Sequence, residues 1–343
     1  MPDTGQPVRF ALAGVRHFHI FELVAALAAR DDAELVAAAE DDADAAAAAH
    51  ARGVVFTHRS VDELLAEPER FDVLAVGDYY ARRGGLAIRA LEQGRHVLLD
   101  KPICIDLAEL DRIAALSSGP GTPVVGCMLG NRGNGNLRQL RSLLGEGAIG
   151  TVHTVTFLAQ HPLSYGHRPG WYFEPGKHGG TINDIAIHAF DILPWLLGRV
   201  PCRLLAARCW NERLPQHPHF QVAAQMMLEL DGGVGVLGDL SYLGPDGQGY
   251  RVPQYWRFTI HGDGGLAETA VHDNAVRLWR GGAESGELFA PLAEEPGFYL
   301  DDFLTEVAGG APRVLSNSDV LRASRWALQA QHAADQQRFD AAL

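Results

Sequence analysis

Residues 178–198 of this 343-residue chain read HGGTINDIAIHAFDILPWLLG, and within them Asp184 and His188 stand four apart. On a helix that spacing puts both side chains on one face, with Asp191 continuing the polar stripe. A carboxylate beside an imidazole selects one tautomer and raises the basicity of the ring, which suits a general base near neutral pH. The same spacing also serves an ordinary surface ion pair, and both readings stand at this point. Thr181 is placed to cap the helix and Gly198 to stop it. Two glycines, Gly179 and Gly180, run into its start and let another chain or a ligand approach closely. A second segment, HVLLDKPI, carries Asp100, Lys101 and Pro102 at the end of an apolar run. Proline restricts the residue before it to extended backbone, so the Lys101 ammonium is aimed; the default for the bond between them is trans. Such a lysine can polarise a carbonyl or hydrogen-bond a developing alkoxide, and it equally fits a solvated strand end.

The elements that must hold these residues alternate. VRFALAG (8–14), AELVAAAEDD (33–42), FDVLAVGD (71–78), HVLLDKP (96–102) and PVVGCML (123–129) read as buried strands. Helical segments separate them, among them HIFELVAALAAR and the Ala-rich ADAAAAAHARG closed by Gly53. Strand and helix alternating over residues 1–125 predict a doubly wound parallel sheet, an α/β unit. Its right-handed crossovers bring the strand C-termini to one edge, where ligands bind, and Gly14, Glu40, Asp78 and Lys101 all lie there. Over 126–343 the pattern changes to one helix followed by strand-like runs, including TVHTVTFLAQH, FQVAAQMMLEL, GVGVLGDLSYL and YWRFTIHG. Successive strands with few helices predict an α+β unit with an antiparallel sheet, closed by an amphipathic helix over 316–338.

Composition excludes several functions. A formal net charge of −13 disfavours nucleic acid and anionic membrane surfaces as partners. Cys104, Cys127, Cys202 and Cys209 are scattered, with no CxxC pair, which suits reduced thiols in a cytoplasmic protein. The opening MPDTGQPVRF has no basic stretch followed by an apolar run, so no signal peptide is expected, and no run reaches the roughly 18 apolar residues of a membrane helix. Histidines pair along the chain (His17 and His19, His161 and His167, His178 and His188, His217 and His219), but without a cysteine pair or HExxH no metal is expected.

Taken together, LLDKPI and, some 80 residues on, GGTINDIAIHAFDILPWLLG resemble the Gfo/Idh/MocA oxidoreductases, as do LAIRALEQGRHVLLDKP, FTIHGDGGLAET and DDFLTEVAGG. The resemblance covers nearly the whole chain. It implies an N-terminal Rossmann domain for a nicotinamide dinucleotide, and a C-terminal domain whose open sheet is often buried in a homodimer or homotetramer. It implies hydride transfer with a sugar, inositol or related polyol. In that mechanism His188 takes the hydroxyl proton, Asp184 orients it, and Lys101 hydrogen-bonds the reacting oxygen.

The chain departs from the family pattern at AGVRHFHIFELVAAL. Where the family has Gly-x-Gly-x-x-Gly, this chain has Gly14, Arg16 and His19. Losing two glycines removes close backbone approach to pyrophosphate, while the helix N-terminus still favours an anion. Arg16 or His17 is then expected to add a side-chain contact to phosphate, beside Phe18. Glu40 stands where the acid that bonds the ribose hydroxyls belongs, and no Arg or Lys follows closely, which favours NAD over NADP. Asp100 replaces the family's usual Glu. Tyr79, in GDYYARR, is a candidate to pack on the nicotinamide, and His161, Arg168 and Trp171 are candidates to line a sugar pocket. Two further readings follow from the altered loop. One is a non-redox ligand-binding or regulatory relative; the other is an enzyme that recycles tightly bound NAD in isomerisation or elimination.

Overall fold

The computed structural model describes residues 6–343. It divides into two compact units, each assembled from three stretches of chain: the first from residues up to Leu129, Gly176–Gly179 and Gly297–Ser324, the second from Gly130–Pro175, Gly180–Pro296 and Arg325–Leu343. The change of pattern read at 125/126 lies close to the first of these crossings.

In the first unit the order is β1 (Val8–Ala13), α1 (Ile20–Ala28), β2 (Ala33–Ala39), α2 (Ala43–His50), α3 (Val61–Leu65), β3 (Val73–Val76), α4 (Tyr80–Glu92), β4 (His96–Leu99), α5 (Leu107–Ser117) and β5 (Val125–Cys127). The strands form one parallel sheet ordered β2-β1-β3-β4-β5. Strand β3 and the last four residues of β1 are wholly buried. Continuous apolar runs of this kind are what a sheet covered on both faces requires. Each buried Leu, Val or Phe contributes on the order of 1.5–3 kcal/mol. Order reverses between β1 and β3, the switch point at which such sheets leave a crevice. Asp42 caps α2, accepting from the Ala45 amide at 2.9 Å. Asp106 does the same for α5.

The second unit opens with α6 (Gly135–Gly145) and β6 (Val152–Pro162). A single π-helical turn, Ile182–Ala186, leads into α7 (Ile187–Leu197). There follow β7 (Pro201–Trp210), β8 (Ala223–Leu230), β9 (Val234–Gly244), β10 (Arg257–Gly262), β11 (Gly265–Ala270), β12 (Val276–Arg280) and β13 (Glu287–Phe289). Helix α8 (Phe298–Val307) belongs to the first unit; α9 (Asn317–Asp335) and the short β14 (Ala341–Ala342) end the chain. The nine strands form one sheet, β13-β12-β11-β10-β6-β9-β8-β7-β14. Every pairing in it is antiparallel except β6 with β9. Alternation of buried and open residues along β8 and β9 marks one covered face and one open face. Among the described residues no helix is long and apolar enough to cross a membrane.

The segment from 181 to 197 departs from the regular helix its periodicity suggests. Thr181 does not cap it: its hydroxyl donates to the Gln221 carbonyl. The amides of Ile182 and Asn183 are taken by the side-chain oxygen of Gln331, at 2.8 and 3.3 Å. A long-range side chain thus does the work that a local cap was expected to do. Gly198 ends the helix in the left-handed region, as its sequence position suggests.

Candidate functional site

In the first unit, Gly14 ends β1 with φ +74°, and a Cβ there would lie 2.7 Å from the Asp78 Cβ. Only glycine meets both demands. The loop beyond is stitched to the sheet by the His17 amide, which donates to the Gly77 carbonyl at 3.0 Å. The backbone amides of Phe18 and His19, at the start of α1, donate to no described residue. Unpaired amides at a helix N-terminus suit an anion, so the loop still fits the pyrophosphate of a dinucleotide although two glycines are gone.

Glu40 lies at the end of β2 as expected, but its oxygens are already engaged. Oε2 accepts from the Val15 amide at 2.7 Å, and Oε1 accepts from Arg16 Nε at 3.0 Å and the Asp42 amide at 2.8 Å. Arg16 also lies 3.4 Å from Asp78 and over the ring of Tyr79, 5.2 Å from its centroid. Its guanidinium is thus spread over Glu40, Asp78 and Tyr79. Arg82 pairs with Asp78 at 2.9 Å and also with Asp41. Burial raises the pKa of Asp78, and the two arginines pull against it.

Asp100 is fully buried. His17 Nδ1 hydrogen-bonds one of its oxygens, Oδ2, and Arg83 donates to the same oxygen at 3.2 Å. Arg83, also fully buried, donates to the carbonyls of Asp78, Asp100, Lys101 and Pro102 at 2.8, 2.9, 2.5 and 3.1 Å. Burial opposes the Asp100 carboxylate, yet His17 and Arg83 hold it well below the usual carboxylate range. The compensating charge is that of Arg83, because burial pushes His17 itself down to about 3 and leaves it a neutral donor. Lys101, which follows, is buried, and the bond to Pro102 is cis where trans is the default. Arg83 was legible beforehand only as part of YYARR; its web of carbonyls follows from the tertiary fold.

In the second unit, Asp184 sits on the π-helical turn and is buried. The Tyr242 hydroxyl donates to Asp184 Oδ2. Burial and then the Asp184 charge raise the Tyr242 pKa well above its ordinary value, so the phenol stays a donor. His188, half-buried, packs edge-on to Trp256 at 5.4 Å between ring centroids. Asp191 does not extend the polar stripe toward Asp184 and His188: it forms a buried ion pair with Arg132 at 2.6 Å. Gly180, with φ +95°, would place a Cβ 2.2–2.5 Å from the Gln331 side chain, so the contact that builds the π-turn demands glycine.

Around this turn the sugar-pocket candidates stand in an aromatic shell. Arg168 lies between two phenol rings, 4.7 Å from Tyr172 and 5.1 Å from Tyr242, and donates to the carbonyls of Leu163 and Pro162. Burial lowers its pKa, and the field of Tyr172, Tyr242, Tyr250 and Asp184 more than restores it. His161 is edge-on to Tyr255 at 5.0 Å and to Tyr250 at 5.6 Å. Trp171 is buried against Tyr172. Sequence reasoning missed Tyr242, Tyr250, Tyr255 and Gln331; the run GDLSYL, which supplies Tyr242, carries no motif.

A parallel sheet with a switch-point loop, a lysine after its fourth strand and a π-turn carboxylate before a histidine define a nicotinamide-type oxidoreductase architecture. Comparison with known proteins agrees. The family model described as "Oxidoreductase family, NAD-binding Rossmann fold" matches residues 8–124, and the model of the GFO/IDH/MocA C-terminal domain matches residues 137–268. The chain belongs to the Gfo/Idh/MocA oxidoreductase family, and its first unit carries that family's NAD-binding Rossmann fold.

Among curated relatives, 1,5-anhydro-D-fructose reductase of Ensifer adhaerens is 29% identical over 149 residues, 43% of this chain and 44% of that protein. Myo-inositol 2-dehydrogenase of Thermotoga maritima is 22% identical over 274 residues, 78% of each. For several relatives the match spans only 38–44% of their length. A solved structure from Erwinia carotovora atroseptica superposes with a TM-score of 0.83 at 26% identity, covering 95% of this chain and 98% of that one. An inositol dehydrogenase homolog from Azotobacter vinelandii, solved with NAD+, gives 0.79 at 17% identity over 98% of both chains, a likeness of fold alone.

Proposed function

We propose that the chain is an NAD-dependent dehydrogenase or reductase that moves hydride between a nicotinamide and a CH–OH group of a sugar, inositol or related polyol. The observation that carries this reading is the buried Asp184, fixed by Tyr242 on a π-turn four residues before His188, in a chain that also keeps Lys101 at the end of β4. A carboxylate held rigid by a phenol donor serves as an orienting group for an imidazole base, and single π-helical turns are frequent at functional sites.

In this reading His188 takes the proton from the substrate hydroxyl, Asp184 orients it and offsets its charge, and Lys101 hydrogen-bonds the oxygen as it becomes a carbonyl. Bound NAD+ supplies the hydride acceptor. Gly14, the amides of Phe18 and His19, and Arg16 would hold the dinucleotide, with Tyr79 beside it. Glu40 and Asp78 act by fixing Arg16, and Asp100 by anchoring the stretch that carries Lys101. The acids Glu40, Asp41 and Asp78 around Arg16 and Arg82 disfavour a 2′-phosphate, which supports NAD over NADP. His161, Arg168 and Trp171, with the surrounding tyrosines, supply the aromatic faces and donors that a polyhydroxylated ring requires. The open face of the second unit's sheet, with Met227, Leu237 and Leu243 exposed along β8 and β9, suits a second copy of the chain in a homodimer or homotetramer, and light scattering measures that state. A cytoplasmic setting suits Cys104, Cys127, Cys202 and Cys209, none of which is in a disulfide.

The test is absorbance at the reduced-nicotinamide band during a screen of polyols with NAD+. Turnover is expected with at least one cyclic polyol. His188→Ala is expected to lose about 10²–10⁴-fold, and Lys101→Ala roughly 10²–10³-fold, each with the fold intact. Normal turnover by both variants would refute these roles.

A further inference from the structure

We infer that His17, His19 and Asp100 form a binding site for a divalent transition metal, with Zn2+ the best-suited ion. The proposal is independent of the hydride-transfer reading. Two of the three residues sit on the loop that lost its glycines, and the third stands where the family's usual glutamate is shortened by one methylene. One ligand atom from each lies within 4.8 Å of the other two.

The buried carboxylate supplies the independent observation. Asp100 is fully buried, and Arg83 and His17 both bond the same oxygen, Oδ2. The other oxygen, Oδ1, is buried and accepts no hydrogen bond. Buried carboxylate oxygens are rarely left without a donor or a cation. The nearest candidate partner is His19 Nδ1, at 3.4 Å. Zinc bonds to imidazole nitrogen and carboxylate oxygen at about 2.0–2.1 Å, which makes the edge of a tetrahedron about 3.3–3.4 Å. The His19–Asp100 separation matches that edge and is wider than an octahedral Mg2+ site gives, about 2.9 Å.

The surroundings are those of a ligand set. On binding a metal through Nδ1, neutral His17 moves its ring proton from Nδ1, where it now bonds Asp100 Oδ2, to Nε2. The Tyr80 hydroxyl, 3.3 Å from Nε2, accepts it there, as outer partners of metal-bound histidines do. Arg83 holds the carboxylate by Oδ2, whereas the approach of His19 is to Oδ1, so Arg83 orients Asp100 without taking up Oδ1. Its charge weakens the site for hard cations such as Mg2+ or Ca2+, which depend on carboxylate charge. Ions that gain from imidazole nitrogen are affected less. His19 is partly exposed at the start of α1, which leaves a fourth position open on that side. No cysteine and no HExxH motif takes part, and for that reason sequence spacing alone does not reveal the site.

The experiment is calorimetric titration of the chelator-treated, desalted full chain with Zn2+, alongside the visible absorption of the Co2+ form. The wild-type chain is expected to bind one Zn2+ and to give the intense d–d bands of a tetrahedral nitrogen–oxygen site with Co2+. His19→Ala alters a partly exposed ligand, so the fold should persist; it is expected to weaken Zn2+ at least about 30-fold and to abolish the Co2+ bands. His153→Ala, an exposed histidine of β6, is expected to change neither. Absence of Zn2+ binding by the wild-type chain, or equal binding by His19→Ala with circular dichroism unchanged, overturns the proposal.

Discussion

The loop after β1 and the turn before α7 begin with the same device and develop it differently. At Gly180 the missing Cβ admits Gln331, whose oxygen takes two amides and shapes the π-turn that carries Asp184. At Gly14 the missing Cβ admits Asp78, but the two later glycines have become Arg16 and His19, and side chains fill the space. The second unit uses glycine so that protein can approach protein. The first has exchanged close backbone approach for charge: Arg16 on Glu40 and Asp78, Arg83 on Asp100 and three further carbonyls. With two glycines of the fingerprint gone, the amides of Phe18 and His19, just before α1, still donate to no described residue.

Substitutions can break or sharpen this contrast. Gly180→Ala forces a left-handed backbone on alanine and drives a Cβ into Gln331, so a loss of about 2–4 kcal/mol is expected in chemical denaturation. The same substitution in a Gln331→Ala background should cost clearly less, because the clash is with that side chain; equal costs would separate the glycine from the turn. Gly14→Ala meets the backbone and Cβ of Asp78, which cannot swing away, and is expected to weaken NADH roughly 100-fold, read by calorimetry. Tyr242→Phe removes the donor to a buried carboxylate. It should cost about 1–3 kcal/mol of stability and lower kcat more than it raises KM. Arg16→Ala should weaken NADH only about tenfold, since the Phe18 and His19 amides persist. A larger loss than that of Gly14→Ala would show that the side chain carries the whole of anion recognition.

Much of this was legible in the sequence. The strands of the first unit are unbroken apolar runs ending in Gly14, Glu40, Asp78 and Asp100-Lys101, and a sheet covered on both faces leaves such runs few alternatives. The Gly-Gly and Asp-x-x-x-His spacing fell on the turn of the second unit that carries the buried Asp184. What could not be read is what distant residues impose. The π-turn depends on Gln331, some 150 positions along the chain, and the setting of Asp184 on Tyr242, a tyrosine with no local signature. Glu40 was placed correctly at the end of β2, but its capture by Arg16 and the Val15 amide is a matter of three-dimensional packing. Asp191 fitted the helical stripe, and a buried arginine on another segment claimed it.

With one glycine of three, the loop after β1 is expected still to hold a nicotinamide dinucleotide. Titrating the wild-type protein with NADH in a calorimeter tests it most directly. Saturable one-to-one binding in the micromolar range is the predicted result; no saturable heat at millimolar NADH, from protein shown to be free of bound nucleotide, would contradict it.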